Sequence, residues 1–328
     1  MLHDSTRRTF LTTAIGTAAT LPLLGEEGTP KSSALIQSPN VYKFAIGNLE
    51  AWSISDAFFY MGKDLGLMHP KEELPKMKAF MKQEGRSSPH RLPLYANVLV
   101  IRSKNETIIF DAGFGGEPNH RKAWLAQGLA LAGITPDSVT AAFLSHSHSD
   151  HLNGFVTEGK PTFPNAALHY LPEELAFWRS PEPDFSLTLR NKKQLPGMIK
   201  AVREHFDILA DQLQPLKSGT SIFNDLITIE SSPGHTSGHA CFRIQSDGQE
   251  LLHLSDLAHH DLLMFADPSW FIAFDHNPQQ AIVTRKKYWK QAAAKHTRCY
   301  GFHLPWPGLG RIIKQAPGYR WAPEPWTW

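Results

Sequence analysis

The sequence predicts an α/β (α+β) chain in which two β-sheets are sandwiched between helices. Three observations carry that prediction. Short apolar, strand-like runs are mixed with helix-like stretches in both halves of the chain. A dense set of histidines and aspartate, Ser145-His146-Ser147-His148-Ser149-Asp150-His151, follows one apolar run directly. No Gly/Ser-rich linker interrupts the chain beyond about residue 34. Strands and helices mixed along one chain fit a layered domain, because each element must bury one face against a neighbour.

Taken in order, Tyr42 to Ser55 alternates loosely and reads as strand. Lys71 to Glu84 is charged and helix-like, with Met77, Phe80 and Met81 on one face, as in an inserted flap. Tyr95 to Arg102 and Glu106 to Asp111 read as two strands joined at Ser103-Lys104-Asn105. Ala123 to Gly133 reads as a helix ending at glycine. Val139 to Leu144 is a buried strand that runs into the histidine cluster. Ala167 to Leu171 is a strand, and Pro172 to Arg179 and Ser186 to Phe206 are helical. Leu226 to Ser231 leads into Pro233-Gly234-His235. Ala240 to Gln245 and Glu250 to Ser255 pair across Asp247-Gly248, and Gln279 to Lys295 is helical.

Composition narrows the class. Of 328 residues, 41% are hydrophobic and 20% charged, so a large core forms and global disorder is excluded. The formal net charge is +2, with basic residues scattered rather than massed, which argues against a nucleic-acid partner. Arg285-Lys286-Lys287 reads as a solvated helix face. Cys241 and Cys299 read as two buried free thiols, with a single disulfide as the alternative. Thr6-Arg7-Arg8-Thr9-Phe10-Leu11 and the small apolar stretch after it resemble a twin-arginine export signal. Residues 1–34 are therefore expected to be leader and residues 35–328 the domain, placed in the periplasm or outside the cell. The apolar stretch is too short for a stable membrane anchor.

Chemistry concentrates in the cluster. His146, His148, Asp150 and His151 lie on a tight loop at a strand end, where several of them can turn toward one point. Neutral imidazole and carboxylate are ligands for zinc and similar divalent ions. His235, Asp256 and His303 are ligand types that each follow a strand-like run, where a sheet can hold them rigidly.

In this order the residues resemble the metallo-β-lactamase superfamily over roughly residues 40 to 328, and the resemblance implies a four-layer αββα sandwich. It assigns one metal to His146, His148 and His235, the other to Asp150, His151 and His303, and the bridge to Asp256. Asp111, in Ile109-Phe110-Asp111-Ala112-Gly113, is implied to support the metal loop. Asp267-Pro268-Ser269, Arg285-Lys286-Lys287 and the run from His303 to Gly310 resemble the methyl parathion hydrolase branch and related lactonases. Ser255, where that family has glycine, and His259-His260, where apolar residues are expected, depart from its pattern. The implied protein is a dimeric binuclear zinc hydrolase of lactones, esters or phosphotriesters. Hydrolysis of thioesters, as in glyoxalase II, is the alternative within enzymes. A metal-binding protein without catalysis is the alternative outside them.

Two ions close together share and acidify a water, so no serine nucleophile is needed. Ser145, Ser147 and Ser149 then read as loop hydrogen-bonding groups. The leaving-group proton is left to solvent, to Asp150 or to His259, with Asp150 and Asp256 as the catalytic carboxylates. Phe114, Trp178, His259, Trp270, Phe271 and Trp306 are expected to line an apolar substrate pocket. His69, His90, His120 and His276 are expected at the surface.

Overall fold

The computed structural model describes residues 40–86, 91–117 and 119–325. The predicted leader and His90 lie outside the described residues. Seven strands form a first sheet, in the order Val41–Ile46, Leu49–Met61, Leu92–Arg102, Thr107–Phe110, Ala141–Phe143, Ala167–Tyr170, Leu213–Pro215. Its first four strands are antiparallel neighbours and the remainder are parallel. A second seven-stranded sheet runs Ser221–Ile222, Ile227–Ser231, Ala240–Ser246, Gln249–His253, Arg298–Tyr300, Leu309–Gln315, Gly318–Pro323.

The layers follow from which faces are apolar. Phe110, Phe143, Phe242, Ile244, Leu251 and Tyr300 are buried together where the two sheets face each other. The other face of the first sheet packs Ile54, Val98 and Val100 against residues of helices Leu125–Leu131, Pro172–Arg179 and Leu195–Ile208. The second sheet packs Leu252, Cys299 and Ile312 against helices Leu74–Gln83, Leu263–Ala266 and Pro278–Lys295. Trp289 of the last helix stacks on Phe265 with ring centroids 4.8 Å apart. Burying each large side chain in these layers contributes roughly 1.5–3 kcal/mol. The result is the expected order of helices, sheet, sheet, helices.

Several elements differ from their predicted bounds. The first strand is a hairpin, because Gly47 turns at φ 55° with its Cα against the Ser246 carbonyl. The helix predicted from Ser186 starts at Leu195: prolines 181 and 183 precede it, and the Asn191 side chain caps the turn before it by accepting from Lys193 N. The C-terminal hairpin Leu309–Gln315 and Gly318–Pro323 was not anticipated. Both cysteines are buried and free. Among the described residues no helix is long and apolar enough to cross a membrane.

The fold serves the site in one way above all. The 146–151 loop follows the carboxyl end of strand Ala141–Phe143 in the first sheet. His235, Asp256 and His303 follow the carboxyl ends of Ile227–Ser231, Gln249–His253 and Arg298–Tyr300 in the second. The candidate ligands therefore meet where the ends of both sheets come together.

Candidate metal centre and cavity

The loop after Ala141–Phe143 is held by Asp111, which adopts φ 59° at the end of the neighbouring strand. Its carboxylate accepts from Ser145 N and Ser145 Oγ, each at 2.8 Å, and from His151 Nδ1 at 2.8 Å. A second buried carboxylate, Glu174, ties this loop to the one bearing His235. It accepts from Ser147 N at 2.7 Å, Thr236 Oγ1 at 2.6 Å, Gly238 N at 3.1 Å and Trp178 Nε1 at 2.8 Å. Gly113 is required beneath, because a Cβ there would sit 2.4 Å from the Asp56 carboxyl. Asp56 in turn accepts from Phe114 N and Leu125 N at 2.8 and 2.9 Å.

The ligand-type atoms converge in two groups. His146 Nε2 and His235 Nε2 each lie 2.9 Å from His148 Nδ1. The other group is Asp150, His151 and His303, with His303 Nε2 at 3.4 Å from Asp150 Oδ2. Asp256 reaches both: Oδ2 lies 3.1 Å from His235 Nε2 and 3.2 Å from His303 Nε2, and Oδ1 lies 3.1 Å from His151 Nε2. His259 Nε2 is 3.0 Å from Asp256 Oδ2, so His259 joins Asp256 and His303 in a third grouping.

The donor set fits two divalent cations. His151 Nε2 and Asp256 Oδ1 are buried and face each other without a hydrogen bond. The far nitrogens of the rings are occupied: His146 Nδ1 by Ser145 Oγ at 3.0 Å, His151 Nδ1 by Asp111, His235 Nδ1 by Asp275 at 2.7 Å, and His303 Nδ1 by the Tyr95 carbonyl at 2.5 Å. Protons held there leave the inward nitrogens as lone pairs, the arrangement metal-binding histidines require. Without cations the aspartates and histidines set one another's charge. Burial alone would lower His151, but Asp256, Asp111 and Asp150 outweigh it and hold the ring well above the ordinary imidazole range. Burial would raise Asp256, yet the facing histidines, His151 first, hold it well below the carboxylate range. Burial, then His151, drives His146 well below its usual value.

The cluster floors a cavity of about 440 Å³. Its walls are Phe59, Met61, Leu67, Leu94, Phe114, Met198 and Phe274, with Arg190, Gln194, Ser149 and His259 as polar members. Of the predicted pocket residues, Phe114 and His259 line it. Trp178, Trp270, Phe271 and Trp306 do not. Trp178 is fully buried against Phe177, Phe185 and His276, with its N–H spent on Glu174. Trp270 is buried beneath Phe80, and Phe271 stacks on His69. Trp306 is half-buried outside the cavity wall. His276 also departs from expectation, being buried at 4% exposure in the aromatic box beside His148, whereas His120 is exposed. Arg285 is not solvated either. It is buried and donates to the carbonyls of Leu257, Pro268 and Trp270, while Lys286 and Lys287 are exposed.

The sequence profile of the metallo-beta-lactamase superfamily matches residues 91–303. The chain belongs to the metallo-beta-lactamase superfamily. Within that superfamily it is a metal-dependent hydrolase. Among solved structures it is similar to AidC, a dizinc quorum-quenching lactonase in complex with the product N-hexanoyl-L-homoserine. The identity is 29% over 88% of this chain and 98% of that one, with a TM-score of 0.83. It shares its fold with AbOPH, a hydrolase in the beta lactamase superfamily, at 22% identity, 89% and 99% coverage, and a TM-score of 0.79. A probable metal-dependent hydrolase from Staphylococcus aureus matches at 17% identity, 87% and 100% coverage, and a TM-score of 0.66. No curated protein matches the chain.

Glu174, Asp275, Asp56 and Arg190 were missed by the sequence reading. Most of their partners lie 27 to 69 residues away along the chain, as Ser147, Thr236 and Gly238 do for Glu174, His235 for Asp275, Leu125 for Asp56 and His148 for Arg190, so no local spacing marks them.

Proposed function

We propose that this hydrolase opens lactones and cleaves carboxylic esters with apolar acyl parts, using two zinc ions held by His146, His148 and His235 and by Asp150, His151 and His303, with Asp256 shared. The observation that carries the reading is the convergence of these seven side chains, five of which (His148, Asp150, His235, Asp256 and His303) line a cavity with aromatic and aliphatic walls. The likeness to a dizinc lactonase supports it. When bound, the ions supply a water acidic enough to attack an ester carbon near neutral pH and a positive charge for its oxygen.

The chain's own residues do the rest. Phe59, Phe114, Met198 and Phe274 hold the acyl body and exclude water. His259 lines the cavity, bonds Asp256 through Nε2, and has no partner at Nδ1 among the described residues. With its one proton donated from Nε2 to Asp256, and burial lowering the ring to about 4, His259 stays neutral and positions that carboxylate, while the leaving oxygen takes its proton from solvent or from Asp150.

The test is turnover of protein with measured zinc content, on lactones, aryl esters, phosphotriesters and glutathione thioesters side by side. Lactones and esters should be the best substrates. A clear preference for phosphotriesters or thioesters would replace this reading, and no turnover of any would remove it.

A further inference from the structure

Arg190 is the one guanidinium or ammonium group among the residues that line the cavity. Its plane lies against Phe274, 4.5 Å from the ring centroid. Nε makes a long hydrogen bond to the Phe274 carbonyl at 3.4 Å, and Nη2 lies 2.8 Å from His148 Nε2. Nη1 has no acceptor among the described residues, and no carboxylate pairs with the group. Asp150, Asp275 and Asp256 act on it only through space. Arg285 shows what a structural arginine looks like in this protein, with its donors spent on three carbonyls.

The His148 contact does not satisfy Arg190 in a metal-loaded protein. His148 turns Nδ1 toward His146 and His235 and Nε2 toward Arg190. A ring that ligates through Nδ1 carries its proton on Nε2, and a protonated nitrogen cannot accept from a guanidinium. Both terminal nitrogens of Arg190 are then donors without a protein acceptor, on a cavity whose walls include Phe59, Phe114, Met198 and Phe274. The imidazole also stands between Arg190 and the ligand cluster, so Arg190 meets a part of the substrate away from the bond that breaks.

We propose that Arg190 is a specificity-determining residue that receives a carbonyl or carboxylate oxygen on the non-reacting part of the substrate. The substrate is then an ester or lactone with an apolar body and one such oxygen set off from the scissile bond. Charge-assisted donation to that oxygen contributes to binding rather than to the chemical step. This rests on the hydrolase reading above.

The test uses the full zinc-loaded chain and three lactones with tails of equal length. One tail is plain alkyl, one carries an amide carbonyl beside the ring, and one ends in a carboxylate. Wild type should prefer at least one oxygen-bearing lactone by about tenfold or more in kcat/KM. Whichever is preferred identifies the source of the oxygen. Arg190→Met should erase that preference through KM, with the alkyl lactone changed by less than about threefold and zinc per chain unchanged. Equal loss on all three, or loss of zinc, would make Arg190 a prop for His148 and overturn the proposal. So would a wild type with no preference. If wild type hydrolyses none of the three, the lactone reading fails separately. Arg190 is then judged by calorimetry with hexanoylglycine, which bears both oxygens. A roughly tenfold weakening in Arg190→Met upholds recognition, and unchanged affinity rejects it.

Discussion

Asp256 has imidazole nitrogens of His151, His235, His259 and His303 within 3.0–3.2 Å of its two oxygens. A carboxylate so surrounded is a single point of failure for both ligand groups. Asp256→Asn keeps the shape and removes the charge. It should take zinc from about two per chain, the number a binuclear site holds, to below one. Elemental analysis of the purified variant checks this, and two retained ions would deny that the carboxylate is shared. The aromatic walls allow an equally direct test. Phe274 lines the cavity and Trp306 does not. Phe274→Ala should cost about 1–3 kcal/mol of transition-state binding for long acyl chains and little for acetyl esters. Trp306→Ala should show no dependence on chain length. Comparing kcat/KM across an acyl series decides between them. At this scale the ligands were legible because four of them fall within six residues and the others end strands. The pocket was not. An aromatic residue has the same composition signal in a core as on a wall, and Trp178 and Trp270 are held in cores by contacts with residues such as Phe185 and Phe80.

The long helix Pro278–Lys295 carries the load between elements. Its Arg285 reaches through the layer to the backbone at Leu257, one residue past Asp256, and to Pro268 and Trp270. Asp275, which orients His235, lies 3.8 Å from the same guanidinium. Removing the group leaves these buried acceptors without donors. Arg285→Met should therefore destabilise the fold by about 3 kcal/mol, read as a lower urea midpoint at unchanged slope. An unchanged midpoint would show the loops are held by other means. The sequence placed this helix within a residue or two but gave Arg285 to solvent. Three consecutive basic residues look alike in a list, and only the helix's rotation against the sheet buries the first and exposes the next two. The same limit hid the C-terminal hairpin. Its strands carry Arg311 and Arg320 on one side and bury Ile312 and Trp321 on the other, but Lys314 falls on the same side as that buried pair, so alternation is diluted by charge.

At the scale of the molecule, the centre is a seam. The loop bearing His146, His148, Asp150 and His151 belongs to the first sheet, and His235, Asp256 and His303 belong to the second. Cations bound there join the ends of both sheets and exist only in the folded state, so zinc should stabilise the whole fold. At free zinc about 1,000-fold above the dissociation constant, linkage supplies about 4 kcal/mol. For a chain of this size that corresponds to a fall in Tm of roughly 10 °C when a chelator removes the metal. The effect has a defined pH sense. His151 and His235 are raised above the ordinary imidazole value, so in the metal-free protein they hold protons that zinc must displace. Zinc uptake should release protons, and affinity should rise as pH rises toward and through those raised values. The chelator-dependent Tm difference should therefore be larger at pH 8 than at pH 6. Calorimetric scans at both pH values, with and without chelator, measure it. A difference that is absent, or that grows on acidification, would mean that the cluster does not compete protons against metal in the way its geometry requires.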